Sequence, residues 1–517
     1  GALDRFGTTA GPAGDVNGDG FSDVLVGAPG ANVDGMLDAG RAYVYLGSPQ
    51  GLRPLPAWSA SGESSYDAFG AVAGPAGDVN GDGYDDLVIS TPGRANDTGK
   101  VYVYYGSPDG LSGNTANWTA SGANQGDRFG SAAGLAGDVN GDGYADLVAG
   151  AEGYPREDSY GKVYVYYGSS TGLTAGTADW SVSGETAGDR FGAVAGTAGD
   201  VNRDGYDDLA VGAPDRNTQT GKAYVYHGRA PGLRPGPAHW PATAHAPYEY
   251  VAAALGTIGD VNGDGYADLG VGAWGHDGPV TDTGQAYVFA GSVSGLSTTA
   301  MFTATGTSGG DRFGAAVGTA GDVNGDGYAE LIVGAWGQDN AAGGVYVYRG
   351  SDTGLDATAL ITATGENAGD RFGAAVGTAG DVDGDGISDV IVGASGYNAF
   401  DAAGVGRAYV YHGTTSGLAV NAHWTSTQPL PIRGYGYTVN TAGDVNGDGY
   451  ADVLIGTDRS KVYVYYGSAT GLNAGSADWV AASDSPGNEF GRTAGPAGDV
   501  NGDGYADVVI GAYGHDD

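Results

Sequence analysis

Apolar residues along this chain fall in short clusters. None approaches the ~18-residue run that a membrane-spanning helix needs, and no window sustains the three-to-four spacing of an amphipathic helix. Between residues 128 and 183 the clusters are four. Arg128-Phe129-Gly130 leads a small-residue stretch up to Asp138. Tyr144 to Ala149 is a short, mostly apolar run. Val163-Tyr164-Val165-Tyr166-Tyr167 mixes β-branched and aromatic side chains, and Trp180-Ser181-Val182-Ser183 closes the set. Such residues suit a pleated sheet, and Gly, Asp, Asn and Ser punctuate each gap. The pattern predicts four short strands.

The same order repeats along the chain. Gly-Asp-Val-Asn-Gly-Asp-Gly-Tyr-Ala-Asp, or a close variant, occurs nine times, its first Asp at 15, 78, 138, 200, 260, 322, 381, 444 and 499. The repeat units run over approximately 1–63, 64–123, 124–185, 186–245, 246–307, 308–366, 367–429, 430–484 and 485–517. No Pro/Ser-rich linker or charge run interrupts them, so 1–517 reads as one domain. Tandem units of four strands predict an all-β fold, a single β-propeller. Nine blades are expected with the last incomplete, because only two strand signals precede Asp517; eight blades plus a half unit is the alternative. Gly and Ala in each first strand fit the crowded inner position. The Tyr-Val-Tyr strands (Tyr43-Val44-Tyr45, Tyr102-Val103-Tyr104, Tyr463-Val464-Tyr465) and the in-phase Trp58, Trp118, Trp180, Trp240, Trp424 and Trp479 are expected to pack blade against blade.

The loop after each first strand carries the chemistry. Side-chain oxygens stand at loop positions 1, 3, 5 and 9, and the residue at position 7 offers a backbone carbonyl. Hard oxygens from alternating residues, with Gly after position 5 for the sharp turn, are what a Ca²⁺ loop requires. The expected ligands are Asp15, Asn17, Asp19, Phe21 and Asp23; Asp78, Asn80, Asp82, Tyr84 and Asp86; and Asp138, Asn140, Asp142, Tyr144 and Asp146. They continue with Asp200, Asn202, Asp204, Tyr206 and Asp208; Asp260, Asn262, Asp264, Tyr266 and Asp268; and Asp322, Asn324, Asp326, Tyr328 and Glu330. The last three sets are Asp381, Asp383, Asp385, Ile387 and Asp389; Asp444, Asn446, Asp448, Tyr450 and Asp452; and Asp499, Asn501, Asp503, Tyr505 and Asp507. Arg203 replaces Gly at position 4 of the fourth loop. Position 12 is Val26 in the first loop rather than Glu, which excludes an EF-hand. Turn formation alone explains one Asp/Asn/Gly cluster, but not nine in identical phase.

Charge agrees with the metal reading. The chain has 22 basic and 61 acidic side chains, net −39. Three or four carboxylates in one short loop repel one another without a cation, and about nine Ca²⁺ would bring the net charge to about −21. Mg²⁺ suits less well, because it resists dehydration. So negative a surface excludes nucleic acid and anionic membranes as partners. The absence of Cys excludes disulfides, thiolate metal sites and a cysteine nucleophile.

Phe-Gly, the acidic loop and Gly-Ala-Pro in succession, as from Phe6-Gly7 to Gly27-Ala28-Pro29, resemble the FG-GAP repeat of integrin alpha-chain β-propellers and bacterial secreted propellers. The resemblance implies that the acidic loop joins the first two strands of each blade and binds Ca²⁺. It also implies that the loops between second and third strands share the opposite face. The chain departs from the pattern at Tyr250-Val251 and Tyr435-Gly436, and often replaces Pro of Gly-Ala-Pro by Trp, Tyr or Ser.

These readings predict a calcium-stabilised extracellular or cell-surface propeller, a non-catalytic module that adheres to a protein or glycan. The candidate ligand face is Tyr154, Trp274, Trp336, Tyr397 and Tyr513, aromatics at the start of the most variable loops. A structural or self-assembling surface protein, pairing through the open edge of an incomplete blade, is the alternative. A polysaccharide-active enzyme is the second. There is no HExxH, GxSxG or phosphate-binding Gly-Lys-Ser/Thr. Of the seven His, His227 and His412 are expected at exposed strand ends and His239 and His423 in structural roles; His276 and His515 follow the Gly-Ala-aromatic-Gly corner.

Overall fold

The computed structural model describes residues 4–6, 8–48, 53, 55–111, 113–155, 158–213, 221–234, 236, 238, 240–243, 251–278, 280–397, 404–427, 434–458, 461–473, 475–482, 490–498 and 505–512. The architecture is all-β and follows the repeat. Among the described residues, eight four-stranded antiparallel sheets succeed one another, each built from strands consecutive in the chain, followed by a two-stranded sheet of Phe490–Gly498 and Asp507–Ala512. These are propeller blades in sequence and topology. Two four-residue helical turns, Arg94–Asp97 and Gln338–Ala341, are the helical elements among the described residues.

The third sheet represents the others. Its strands are Phe129–Gly137, Asp146–Ala151, Lys162–Tyr166 and Trp180–Ser183. Val148 lies opposite Gly134 on one side and Val165 on the other. The second strand is buried along its whole length. A strand covered on both faces favours a continuous apolar run over alternation, and Asp146-Leu147-Val148-Ala149-Gly150-Ala151 has one after its first residue. The first strand enters the acidic loop through a register shift at Gly137, whose φ of 88° suits Gly.

The chain separates into two compact units. One holds the first four sheets within Gly1–Thr243, together with Ala497–Gly504 and Gly511–Asp517; the other is Ala244–Pro496 with Tyr505–Ile510. Within each unit the first strands of successive sheets are neighbours, as an inner position requires.

Sheet-to-sheet packing uses the recurring aromatics. Trp58, Trp118, Trp180 and Trp424 are buried and meet Tyr104, Tyr166, Tyr226 and Tyr465 of the following sheet edge-on, at centroid distances of 4.6–4.9 Å. Phe302 plays the same part against Tyr348. Each indole N–H also crosses the gap, for example Trp118 Nε1 to the Thr174 carbonyl at 2.9 Å. Trp240 is buried as well, whereas Trp479 is 41 % exposed. The Phe of Phe-Gly is buried and its backbone bridges the preceding sheet, as between Gly99 and Phe129. In the eighth sheet Tyr435 replaces it, fully buried, donating its hydroxyl to Tyr465 Oη at 3.0 Å.

Candidate metal loops and ligand face

Each acidic loop joins the first strand of a sheet to the second, which puts the loops at one end of the sheets. The loops between second and third strands lie at the other end.

Within a loop, positions 1, 3 and 5 fold onto one another. In the second loop, Asp78 Oδ1 accepts from Gly81 and Asp82 backbone N–H groups at 2.6 and 3.1 Å, and Asp78 Oδ2 from Gly83 at 2.8 Å. Asn80 Oδ1 accepts from Asp82 N–H at 2.9 Å while its amide donates to Asp82 Oδ2 at 3.0 Å. Asp82 Oδ1 accepts from Tyr84 N–H at 3.1 Å. In the seventh loop one oxygen each of Asp381, Asp383 and Asp385 fall within 4.8 Å of one another. A carboxylate offers about four lone-pair sites, so these bonds leave capacity for a cation.

Position 9 has a second task, which the sequence analysis missed. Its carboxylate is buried and clamps two backbone N–H groups. Asp146 Oδ2 accepts from Val139 and Oδ1 from Gly168, both at 2.9 Å. Gly168 lies just beyond the third strand. Asp23, Asp86, Asp208, Asp268, Asp389 and Asp452 repeat the arrangement with Gly47, Gly106, Gly228, Gly291, Gly413 and Gly467. Glu330 reaches Val323 and Gly350 with its longer side chain, and takes the Asn324 amide at 2.9 Å. The signal was present: Gly recurs in phase after every Tyr-Val-Tyr strand.

Burial pushes these carboxyls far above the usual range, offset in part by the two backbone N–H groups and raised further by the carboxylates at positions 1 and 5, or for Asp389 by Asp383 and Asp381. Asp146 reaches about 8. Asp86, Asp208, Glu330 and Asp389 reach about 7, and Asp23, Asp268 and Asp452 about 6. A divalent cation among the loop oxygens would relieve the mutual repulsion, so the donor set fits a hard cation.

The loops are also tied to each other. The position 8 N–H donates to the position 1 carbonyl of the preceding loop, as Ala145 to Asp78 at 3.1 Å and Ala451 to Asp381 at 2.9 Å. The position 7 Tyr ring lies on the preceding loop's position 4 Gly: a Cβ on Gly81 would sit 2.3 Å from Tyr144 Cε1. Of the ninth loop, Tyr505 and Asp507 are described; Asp499, Asn501 and Asp503 lie outside the described residues, as does Tyr513.

At the other end, Trp274 and Trp336 are brought together with Arg312 between them. The Arg312 guanidinium lies 4.2 Å from the Trp336 ring centroid and 5.4 Å from that of Trp274. A cleft of about 230 Å³ is lined by Trp274, Arg312, Ala315 and Trp336. Tyr154 is separate, half-buried in the third sheet with the Lys162 ammonium 5.2 Å from its ring. Tyr397 carries the Arg407 guanidinium at 4.7 Å.

Two histidine expectations need correction, and the first is His227, which is half-buried rather than exposed. His412 is buried rather than exposed: its Nδ1 lies 2.8 Å from Asp383 Oδ2, and its ring stacks on His423 at 4.2 Å. The extra carboxylate of the seventh loop gives it a partner at the strand end. His239, His245 and His515 lie outside the described residues.

The FG-GAP repeat profile matches residues 6–45, 69–104, 129–166 and 191–226, and an FG-GAP-like repeat profile matches 322–392, 381–455 and 444–510. The chain is an FG-GAP repeat protein. This FG-GAP chain is 29 % identical to Xenopus laevis integrin alpha-4 over 255 residues, 48 % of the chain and 23 % of that relative. It is 38 % identical to Mus musculus integrin alpha-IIb over 153 residues, covering 28 % and 15 %. It is 34 % identical over 192 residues to a Rattus norvegicus phosphatidylinositol-glycan-specific phospholipase D, covering 33 % and 22 %. The chain thus spans less than a quarter of the length of these relatives. Among the described residues, no helix is long and apolar enough to cross a membrane.

Proposed function

We propose that this protein is a calcium-stabilised propeller that works outside the cell as a non-catalytic adhesion module for a protein or glycan. The observation that carries the reading is the folding of loop positions 1, 3 and 5 onto one another, repeated in phase along the described loops, with one oxygen each of Asp381, Asp383 and Asp385 within 4.8 Å of one another in the seventh. Weak extracellular-class Ca²⁺ loops bind near ~10⁻⁴–10⁻³ M and fill only where Ca²⁺ is abundant. Rigid loops at one end would then hold the Trp274 and Trp336 loops at the other in a fixed arrangement, which lowers the entropic cost of binding. Similarity to integrin alpha chains supports a binding module; similarity to part of a phospholipase D keeps an enzymatic reading third. The test is a panel of glycans and extracellular matrix proteins offered in millimolar Ca²⁺. Binding should be lost on Trp274→Ala and Trp336→Ala with the fold intact. Release of reducing ends from a polysaccharide by the wild type would contradict the non-catalytic reading.

A further inference from the structure

One position in the repeat is filled in two contrasting ways. It is the residue after Gly-Ala at the end of each second strand. In the third sheet it is Glu152, buried, with its carboxylate shared by two arginines. Arg128 comes from the same repeat and Arg190 from the next, each immediately before its Phe-Gly. In the sixth sheet the position is Trp336. Its two arginines stand at the same places: Arg312 before Phe313-Gly314, and Arg371 before Phe372-Gly373. All four adopt the same left-handed backbone, with φ of 51–55°. The scaffold therefore aims two guanidiniums at one point in both sheets, and only the third sheet supplies the carboxylate.

In the sixth sheet the guanidiniums stack on indole instead. Arg312 lies 4.2 Å and Arg371 5.6 Å from the Trp336 centroid, and Arg312 lies 5.4 Å from Trp274. Stacking uses the guanidinium face and leaves the N–H donors at its edge. Among the described residues neither Arg312 nor Arg371 side chain has a hydrogen bond or ion pair, whereas Arg128 and Arg190 both have Glu152. On a chain of net −39, two unneutralised guanidiniums beside one aromatic cleft are an exception.

We propose that the row Trp274–Arg312–Trp336–Arg371 binds a carboxylated sugar, a uronate residue of an acidic glycan, whose carboxylate takes the place that Glu152 fills in the third sheet. Planar donors match a carboxylate in bidentate fashion. The cleft of about 230 Å³ has indole walls and an Ala315 contact for the apolar face of a sugar ring. A pyranose carries that face and its carboxylate on one rigid frame. An acidic peptide side chain carries its carboxylate on a flexible stem with no flat face, so it loses more rotamer freedom on binding.

This inference rests on the adhesion reading above, and its test separates the two. The full chain in Ca²⁺ is titrated with hyaluronan fragments, with the same fragments after reduction of their carboxyl groups, and with poly-L-glutamate. Hyaluronan fragments should bind, and carboxyl reduction should weaken them at least tenfold. Arg312→Gln and Arg371→Gln should each weaken binding several-fold. Trp336→Glu should abolish it without lowering the melting temperature, because the new carboxylate would occupy the arginines as Glu152 does. Equal binding of the reduced fragments, preference for poly-L-glutamate, retained binding by Trp336→Glu or by both arginine variants, or no binding of hyaluronan each overturns the proposal. If hyaluronan fails while another glycan or protein still binds through Trp274 and Trp336, the adhesion reading stands and the uronate assignment falls.

Discussion

The indole N–H of Trp118 donates to the carbonyl of Thr174 across the gap between the second and third sheets, at 2.9 Å. Its ring meets Tyr166 of that third sheet at 4.6 Å. One side chain thus adds a ring contact and a hydrogen bond to an interface that backbone bonds also cross, as from Phe129 N–H to the Thr98 carbonyl at 3.1 Å. Trp118→Ala should cost about 3–5 kcal/mol, read as a lowered urea midpoint. Trp479→Ala, at the same phase but 41 % exposed, should change stability by less than about 1 kcal/mol. Similar losses from the two variants would contradict the packing account.

The loop carboxylates divide into two roles that removal of Ca²⁺ should separate. Asp146 is buried and clamps Val139 and Gly168, whereas Asp142 is exposed at position 5. Asp146→Ala leaves two buried donors unsatisfied, at about 1–3 kcal/mol each. It should lower the melting temperature both in Ca²⁺ and in EGTA. Asp142→Ala should lower it in Ca²⁺ and leave the EGTA value nearly unchanged. Equal effects of Asp142→Ala in the two conditions would argue against a cation at that position.

The pH dependence should reverse with metal. The position 9 carboxyls titrate at about 6 to about 8 in the metal-free fold against 3.8 when exposed. The folded state therefore holds protons that the unfolded chain has released. Their stabilisation is complete below about pH 4 and is lost as pH rises through 6 to 8. In EGTA the melting temperature should fall from pH 5 to pH 8. In excess Ca²⁺ it should hold or rise over the same window, since the cation stabilises the ionised form. A rising EGTA profile would contradict the burial argument.

Loop-to-loop contact is testable at glycine. Gly81 and Gly83 both have positive φ, but a Cβ on Gly81 would strike Tyr144 at 2.3 Å while one on Gly83 meets nothing within 4 Å. Both Ala substitutions carry a backbone cost of about 1–2 kcal/mol. Gly81→Ala should cost measurably more, and Tyr144→Ala in the same chain should remove the excess, as a double-mutant cycle in urea would reveal.

Strand number and order were legible because each unit is short, punctuated by Gly and Asp, and repeated. The Phe-Gly and Trp phases gave the inter-sheet contacts, since side chains that recur with the repeat meet the same neighbour each time. Two things were hidden. The clamp at Asp146 joins residues 22 apart through backbone N–H groups, which carry no side-chain signature. The meeting of Arg312 with Trp336 depends on a left-handed turn at Arg312 and on the end of the second strand, and neither is marked in composition. His412 was misjudged for a related reason: its partner Asp383 lies 29 positions away, in the one loop with an extra carboxylate.

Ca²⁺ in the acidic loops is proposed to hold the fold. A thermal melt with and without excess EGTA, with calcium counted on the purified protein, tests it most directly. Close to nine ions per chain and a large drop in melting temperature on chelation are expected, since each site at a hundredfold excess over its dissociation constant would add about 2.7 kcal/mol. An unchanged melt with no bound metal would contradict it and leave the loops as hydrogen-bonded turns.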